Sequence, residues 1–579
     1  MRAKLLLIAS AAVILALPAI AQQTAAPQPT PAAAQPPATA TAPPNSEETT
    51  PEGGTDETAV EEVSSNTLQP PTPPVEYPGW ARRDLWTVGA IEPADARLAS
   101  DAWGAANGVF LSTLMRRMQT PLASRWAHIA LRDALLAKLR APAGVNPVDW
   151  VGERSWLLLR MGEADAARML VADIDVDRFT PKMTQVAVQS ALASADPPAL
   201  CPLENGIKKY DPGIIRLVQA MCASLAGQSD QSSAMIDQAR RFGRIGGVDL
   251  ALAEKVVGAG GSGRASTIEW DPVDSLTAWR FGLAAGTGMV PPDRLINAAS
   301  PQLRAFQARA PLLTPQQRLP SAMVAAGLGV FSSQTMVDLY SAIFDSTDPG
   351  DLPDTDAWQL RQAFVGKDQD ARIAAIRKLL SGKDGLAKEA ARAAVARAAT
   401  LITPDAKLAK DAPDLISAML AGGYDEAAAR WVRAVNSMDD ADGDRCWAML
   451  ALSAPNVGDI GTSRIASFIK RDTSRNRVRS ALLVAGLAGL GRISTDTANS
   501  LNQRYGLSLG HVTSWTKMID AAAGREQGGT VLLLTGTGFA TPALDRVPAA
   551  HMYHSISALR RTGQDFTARM IAAEALSRT

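Results

Sequence analysis

The sequence is poor in the residue types that most catalytic and metal sites require. It contains only four histidines and three cysteines among 579 residues. No His-Glu-x-x-His, Gly-x-Ser-x-Gly, P-loop or Cys-x-x-Cys pattern occurs. His551 and His554 are one helical turn apart, but no third ligand is evident nearby, and structural zinc takes four. We therefore predict a protein that is not an enzyme and that binds no metal and no cofactor.

Long hydrophobic runs are also missing after the first 21 residues. The longest later apolar stretch, Ala481–Leu490, is far shorter than the roughly 20 residues that span a bilayer. At the N-terminus, two basic residues precede the apolar run Leu5–Leu17, and Ala19–Ala21 forms a small-x-small cleavage site. This pattern predicts a signal peptide over residues 1–21, and hence a periplasmic or secreted protein without a membrane span after cleavage.

Basic residues are absent between Lys4 and Arg82, where eight acidic residues occur. Residues 22–78 are rich in Pro, Ala, Thr and Glu and offer almost no large apolar side chain to offset chain entropy. They are predicted to be a disordered tether, which serves as a spacer or as an acidic ligand for the protein's own basic patch. Without the signal and the tether, 56 basic and 50 acidic residues remain, a charge of +6. This balance argues against nucleic acid as a partner.

What the sequence does contain is alanine-rich helical periodicity over residues 79–579. Apolar residues make up 46% of the chain and aromatic residues only 5%. One clear amphipathic series has apolar residues at every fourth position: Ala127, Leu131, Leu135 and Leu139. The best strand signal, Thr530–Thr535, fits a buried helical turn equally well. We predict an all-α body, with a possible hinge at the glycine-rich residues 258–267.

One phrase recurs along this body. The segment Gly162–Leu170 is matched in register by Gly563–Ile571, and looser copies begin at Gly227, Gly366 and Gly423. In each copy a glycine is expected to end one helix in a left-handed conformation, and acidic residues then favour the start of the next helix. The phrase resembles tetratricopeptide-type repeats, which implies antiparallel helix pairs stacked side by side. The copies are not about 34 residues apart, so the prediction is an irregular α-solenoid.

Arrays of helix pairs present extended surfaces for binding. The first functional hypothesis is therefore a scaffold of the cell envelope that binds a protein or peptide partner. The alternative is a regulator that associates with peptidoglycan or another glycan. It would use the tryptophan-rich N-terminal end of the body, where Trp80, Trp86 and Trp103 form a possible aromatic surface. The same tryptophans could instead cap the end of the solenoid.

Five basic residues lie close together at the predicted start of a helix: Lys470, Arg471, Arg475, Arg477 and Arg479. They form either a solvated face or a patch that binds an anionic partner.

Cys201 precedes a helix predicted over Ile214–Ala226, which carries Cys222. In an oxidising compartment these two cysteines are predicted to form a disulfide, with a pair of buried thiols as the alternative. Cys446, beside Trp447, is predicted to be a small core residue.

Overall fold

A computed structural model describes residues 78–243, 245–260, 267–438, 441–458 and 460–579. The predicted signal peptide, the tether up to residue 77 and most of the predicted hinge lie outside these residues. The described chain is all-helical, as predicted, and contains no β-strand. Its one isolated β-bridge joins Ile91 to Ala137. No helix in the described part is long and apolar enough to cross a membrane.

The α-helices of the described chain range from one to four turns. In the first part of the body they are α1 (Gly108–Arg117), α2 (Arg125–Leu136), α3 (Pro147–Met161), α4 (Ala164–Ala172), α5 (Pro181–Ala193), α6 (Glu204–Tyr210), α7 (Ile215–Leu225), α8 (Ser229–Phe242) and α9 (Gly247–Gly260). The middle part contains α10 (Ala278–Ala285), α11 (Asp293–Ala298), α12 (Pro301–Arg309), α13 (Pro315–Leu328), α14 (Ser333–Asp345), α15 (Asp356–Val365), α16 (Gln369–Leu380), α17 (Gly385–Ala399), α18 (Ala412–Ala421), α19 (Asp425–Ala429) and α20 (Val432–Val435). The last part contains α21 (Ala441–Ser453), α22 (Thr462–Arg471), α23 (Val478–Gly489), α24 (Thr495–Tyr505), α25 (Ser514–Gly524), α26 (Gly528–Gly538), α27 (Ala549–Arg561) and α28 (Asp565–Arg578).

The recurring phrase marks helix–turn–helix joints. Its glycines have positive φ at Gly162, Gly227, Gly423 and Gly563, a conformation that other residues adopt only at a cost. Gly366 differs, because its φ is −49° and its ψ is 142°, so α15 ends there in an extended conformation. The prediction of a left-handed helix end is therefore confirmed at four copies and wrong at the fifth.

Most of the body shares one hydrophobic core. A smaller hydrophobic cluster is formed by side chains of helices α5 to α10 and of the 3-10 helix Pro197–Leu203. Helix α28 is buried on nearly every side and packs against α2, α18, α21, α23 and α27. Helix α2 also packs against α26. The second helix, α2, and the last helix, α28, thus meet in one core, whereas each unit of a strictly linear repeat contacts only its neighbours.

The smaller cluster contains the two cysteines that were expected to pair. Cys201 lies in a 3-10 helix, Pro197–Leu203, and Cys222 lies in α7. The structure joins them in a disulfide with a Cα–Cα distance of 5.6 Å. Cys446 is buried in α21.

Candidate binding cleft

The predicted basic segment borders a cleft of about 350 Å³ where the first residues of α23 and α27 come together. These two helices pack against each other, and neither has an acidic residue in its first turn. Val478 and Leu482 of α23 line the cleft, together with Leu507 and Val547 from two loops. The cleft therefore has apolar side chains among its lining residues and faces the positive ends of two helix dipoles.

Charged side chains also line this cleft. Arg475 begins the 3-10 segment Arg475–Arg477 before α23, and Asp545 and Arg546 come from a 3-10 helix before α27. All three are exposed. Within the described residues, the side chains of Arg475 and Arg546 form no ion pair and no hydrogen bond. Both guanidinium groups are therefore available to an anionic ligand.

The backbone around the cleft is strained. Asn476, Arg477 and Ser508 have φ values of 53°, 52° and 53°. They make up three of the six non-glycine residues with positive φ in the described chain. Such residues cost free energy and tend to cluster at functional sites, so this concentration supports a binding role for the cleft.

Asp472 holds the strained loop in place. Its Oδ2 accepts hydrogen bonds from the Ser480 amide (2.9 Å) and hydroxyl (2.6 Å), and its Oδ1 accepts one from the Ser474 amide (2.8 Å). Partial burial acts to raise the pKa of Asp472, but the hydrogen bonds from Ser474 and Ser480 outweigh it, so the pKa lies below its ordinary value. The Arg477 guanidinium also donates to the Tyr505 carbonyl (2.9 Å), which fixes the far side of the loop.

The five basic residues of the predicted patch do not act as one group. Arg471 donates to the buried carboxylate of Asp444 (2.8 Å), and Arg479 donates to the backbone carbonyl of Thr579, just beyond α28. Both therefore have structural partners. Lys470 is exposed, and Arg475 lines the cleft. The second arginine of the cleft, Arg546, was missed because it is distant in sequence and lies in no basic run.

The predicted aromatic surface is only partly exposed. Trp80 is 87% exposed and Trp86 is 47% exposed. Trp103 is 1% exposed, so its prediction as a surface residue is wrong. Its ring stands edge-to-face against Trp150 at a centroid distance of 5.3 Å and lies where a side chain at Gly529 would otherwise sit.

The paired histidines have protein neighbours. The His551 ring lies 4.2 Å from the ring of Trp515, and His554 Nδ1 lies 2.8 Å from Asp520 Oδ2. Burial is the main cause of a lowered pKa at His551. The described residues contain no group of three or more side chains that could hold a metal ion.

We predict that Asp472→Asn destabilises the protein at neutral pH but has little effect in acid. Because the folded pKa is lowered, the carboxylate stabilises the fold above the unfolded pKa of about 3.9 and loses this contribution as the pH falls through the folded value. The difference between the two melting temperatures should therefore begin to shrink near pH 4 and disappear only below the folded pKa of Asp472. A difference that stays constant to the acid limit of folding would contradict this role.

The arrangement can bind an anion beside an apolar group. No protein-family model, curated protein or solved structure matches this chain.

Proposed function

We propose that this protein is a non-catalytic interaction scaffold of the periplasm or cell envelope. It binds an acidic, partly apolar segment of a partner polypeptide in the cleft between α23 and α27. One observation carries the proposal: Arg475 and Arg546 line the same cleft as an apolar set of side chains, and neither has a protein partner in the described chain.

Charge complementarity selects this occupant. A carboxylate would pair with either guanidinium and would also be favoured by the starts of α23 and α27. Apolar side chains of the same segment would cover the partly exposed Val478 and the exposed Pro548, which adds the hydrophobic contribution to binding. Asp545 in the lining disfavours a purely anionic ligand and favours a mixed peptide.

The proposal extends to the architecture and the location. Successive helices such as α3 and α4, α7 and α8, and α27 and α28 pack together, which supports antiparallel pairs arranged as an irregular solenoid. The packing of α2 on α28 would close this array. Export by the predicted signal peptide would bring the scaffold to the envelope.

The test uses two labelled peptides, one alternating glutamate and leucine and one alternating lysine and leucine. The full chain should bind the acidic peptide, measured by fluorescence anisotropy, and bind the basic one far more weakly. Reversing both charges, with Arg475→Glu and Arg546→Glu, should weaken acidic-peptide binding by about tenfold or more, which corresponds to about 1.4 kcal/mol. Added salt should weaken the wild-type interaction.

The matched control reverses two exposed arginines outside the cleft, Arg433 and Arg525. This variant has the same net charge as the cleft variant and should bind the acidic peptide like the wild type. Equal losses in both variants would mean that only net charge matters, and the proposed cleft would then be wrong. Unchanged binding in the cleft variant would also refute it.

A further inference from the structure

A second cleft, of about 400 Å³, lies beside the disulfide-linked segment in the first part of the body. It is lined by the residues that follow α4, by the end of the 3-10 helix Pro197–Leu203, and by α6. None of these residues lines the cleft between α23 and α27, so the second cleft is separate from the proposed peptide site.

The lining combines aromatic rings with a small apolar wall. Phe179 and Tyr210 contribute the rings, and Val176, Pro202 and Leu203 contribute the apolar wall. Leu203 is buried, and Val176 is one of the exposed large hydrophobic residues of the body. The exposed part of the wall, formed by Val176 and Pro202 beside the aromatic rings, is a surface on which a ligand with apolar faces can pack.

Polar groups lie next to these rings. The exposed Asn205 carries both amide donors and a carbonyl acceptor, and no residue of the described chain hydrogen-bonds its side chain. The Lys209 ammonium lies 5.0 Å from the centroid of the Tyr210 ring and supplies further donors. Asp177 accepts a hydrogen bond from Arg82 at 2.9 Å, and Trp80, two residues earlier, is highly exposed.

The disulfide supports one wall of this cleft. Cys201 immediately precedes Pro202 and Leu203, and its bond to Cys222 ties this short 3-10 segment to α7. A ligand surface on a segment that is fixed in this way loses less conformational freedom on binding. The wall is therefore preorganised, although it has little regular secondary structure of its own.

We propose that this cleft binds a saccharide containing N-acetylated hexosamine units. The C–H face of a sugar ring packs on an aromatic ring, and its hydroxyl groups both donate and accept hydrogen bonds. Tyr210 supplies the ring, and Asn205 and Lys209 supply the polar partners. The acetamido group adds a methyl, which fits the exposed side chains of Val176 and Pro202, and a carbonyl, which accepts from the Asn205 amide or the Lys209 ammonium. The methyl contact favours an acetylated sugar over a plain hexose, because the hexose carries only a hydroxyl group at that position.

The experiment titrates the full chain with tri-N-acetylchitotriose, called chitotriose below, and separately with cellotriose, using calorimetry. These trisaccharides differ mainly in the acetamido group, which replaces a hydroxyl. Chitotriose should bind measurably, and cellotriose should bind at least about tenfold more weakly, or about 1.4 kcal/mol. Absence of chitotriose binding, or equal binding of both sugars, would overturn the proposal.

Variants locate the site. Tyr210→Ala and Asn205→Ala should each weaken chitotriose binding by tenfold or more, whereas Tyr210→Phe, which keeps the ring, should retain it. Asn297→Ala, at an exposed asparagine of α11, is the matched control and should bind like the wild type. Unchanged melting temperatures would show that each variant is folded. If Tyr210→Ala loses the Glu–Leu peptide but keeps chitotriose, the cleft is a peptide surface and the saccharide proposal fails.

Discussion

Replacing Glu574 by alanine is expected to lower the free energy of unfolding by about 3–5 kcal/mol. The Glu574 carboxylate is buried at the start of α2, where it accepts hydrogen bonds from the Ser124 hydroxyl (2.6 Å) and the Arg125 amide (2.8 Å). It also pairs with Arg578 at 2.6 Å. Its loss would leave the Ser124 hydroxyl and the Arg125 amide buried without this acceptor, which costs more than the net gain from making the bonds.

The guanidinium of Arg125 increases the expected effect. It is buried and donates to the carbonyls of Ala326 (3.0 Å), Ala421 (2.7 Å) and Phe331 (3.1 Å), so it joins α2 to α13 and α18. Burial lowers the pKa of Arg125 to about 10, and the charge of Glu574 opposes this shift. Without Glu574, the cation loses the strongest of its compensating charges.

Urea denaturation of the full chain, followed by the helical circular dichroism signal, measures the effect. Glu574→Gln keeps one carbonyl acceptor and should cost less than Glu574→Ala. Glu426→Ala, at an exposed position of α19, should stay within about 0.5 kcal/mol of the wild type. If Glu574→Ala were as mild as Glu426→Ala, the cluster would contribute little to stability.

Removal of the Cys201–Cys222 disulfide is expected to cost about 3 kcal/mol in the chain-entropy model, because it closes a loop of 21 residues. Cys201→Ser and Cys222→Ser should each lower the melting temperature. The double variant should be no worse than either single one, because the two residues act as a unit. Reduction of the wild type should bring its melting temperature down to that of the variants.

Thiol titration provides the decisive measurement. The unfolded, unreduced wild type should show one reactive cysteine, Cys446. Three reactive thiols would mean that the bond does not form in the protein. Cys446→Ala is the control, since its melting temperature, whatever its starting value, should still fall on reduction.

The sequence predicted elements well wherever local signals were sufficient. Apolar residues at every fourth position identified α2, although the series runs to Leu139 and the helix ends at Leu136. The phrase that begins at Gly162 identified the end of α3 and the start of α4. The helix predicted over Ile214–Ala226 is α7, one residue shorter at each end. These features depend on periodicity and on a left-handed glycine, which are properties of short segments.

Ambiguity remained wherever burial on several sides removed the periodic pattern. The run Thr530–Thr535 fits a strand or a helical turn, and it lies inside α26, which is buried almost throughout. Trp103 illustrates the same limit, because no local signal distinguishes an exposed tryptophan from one that packs against Trp150 and Gly529. Contacts with distant parts of the chain decide these cases.

By itself, then, the sequence determined the helical class of the body, the helix ends at four glycines and the composition of the N-terminal tract. Only the tertiary structure decided which charges remain available for binding. It pairs Arg471 with Asp444 and places Arg475 beside a cleft that Arg546 also lines. It also folds α28 back onto α2. The physical reason for this difference is that helix formation depends on residues close together in the sequence. A cleft or a buried ion pair depends on helices that are far apart in the chain.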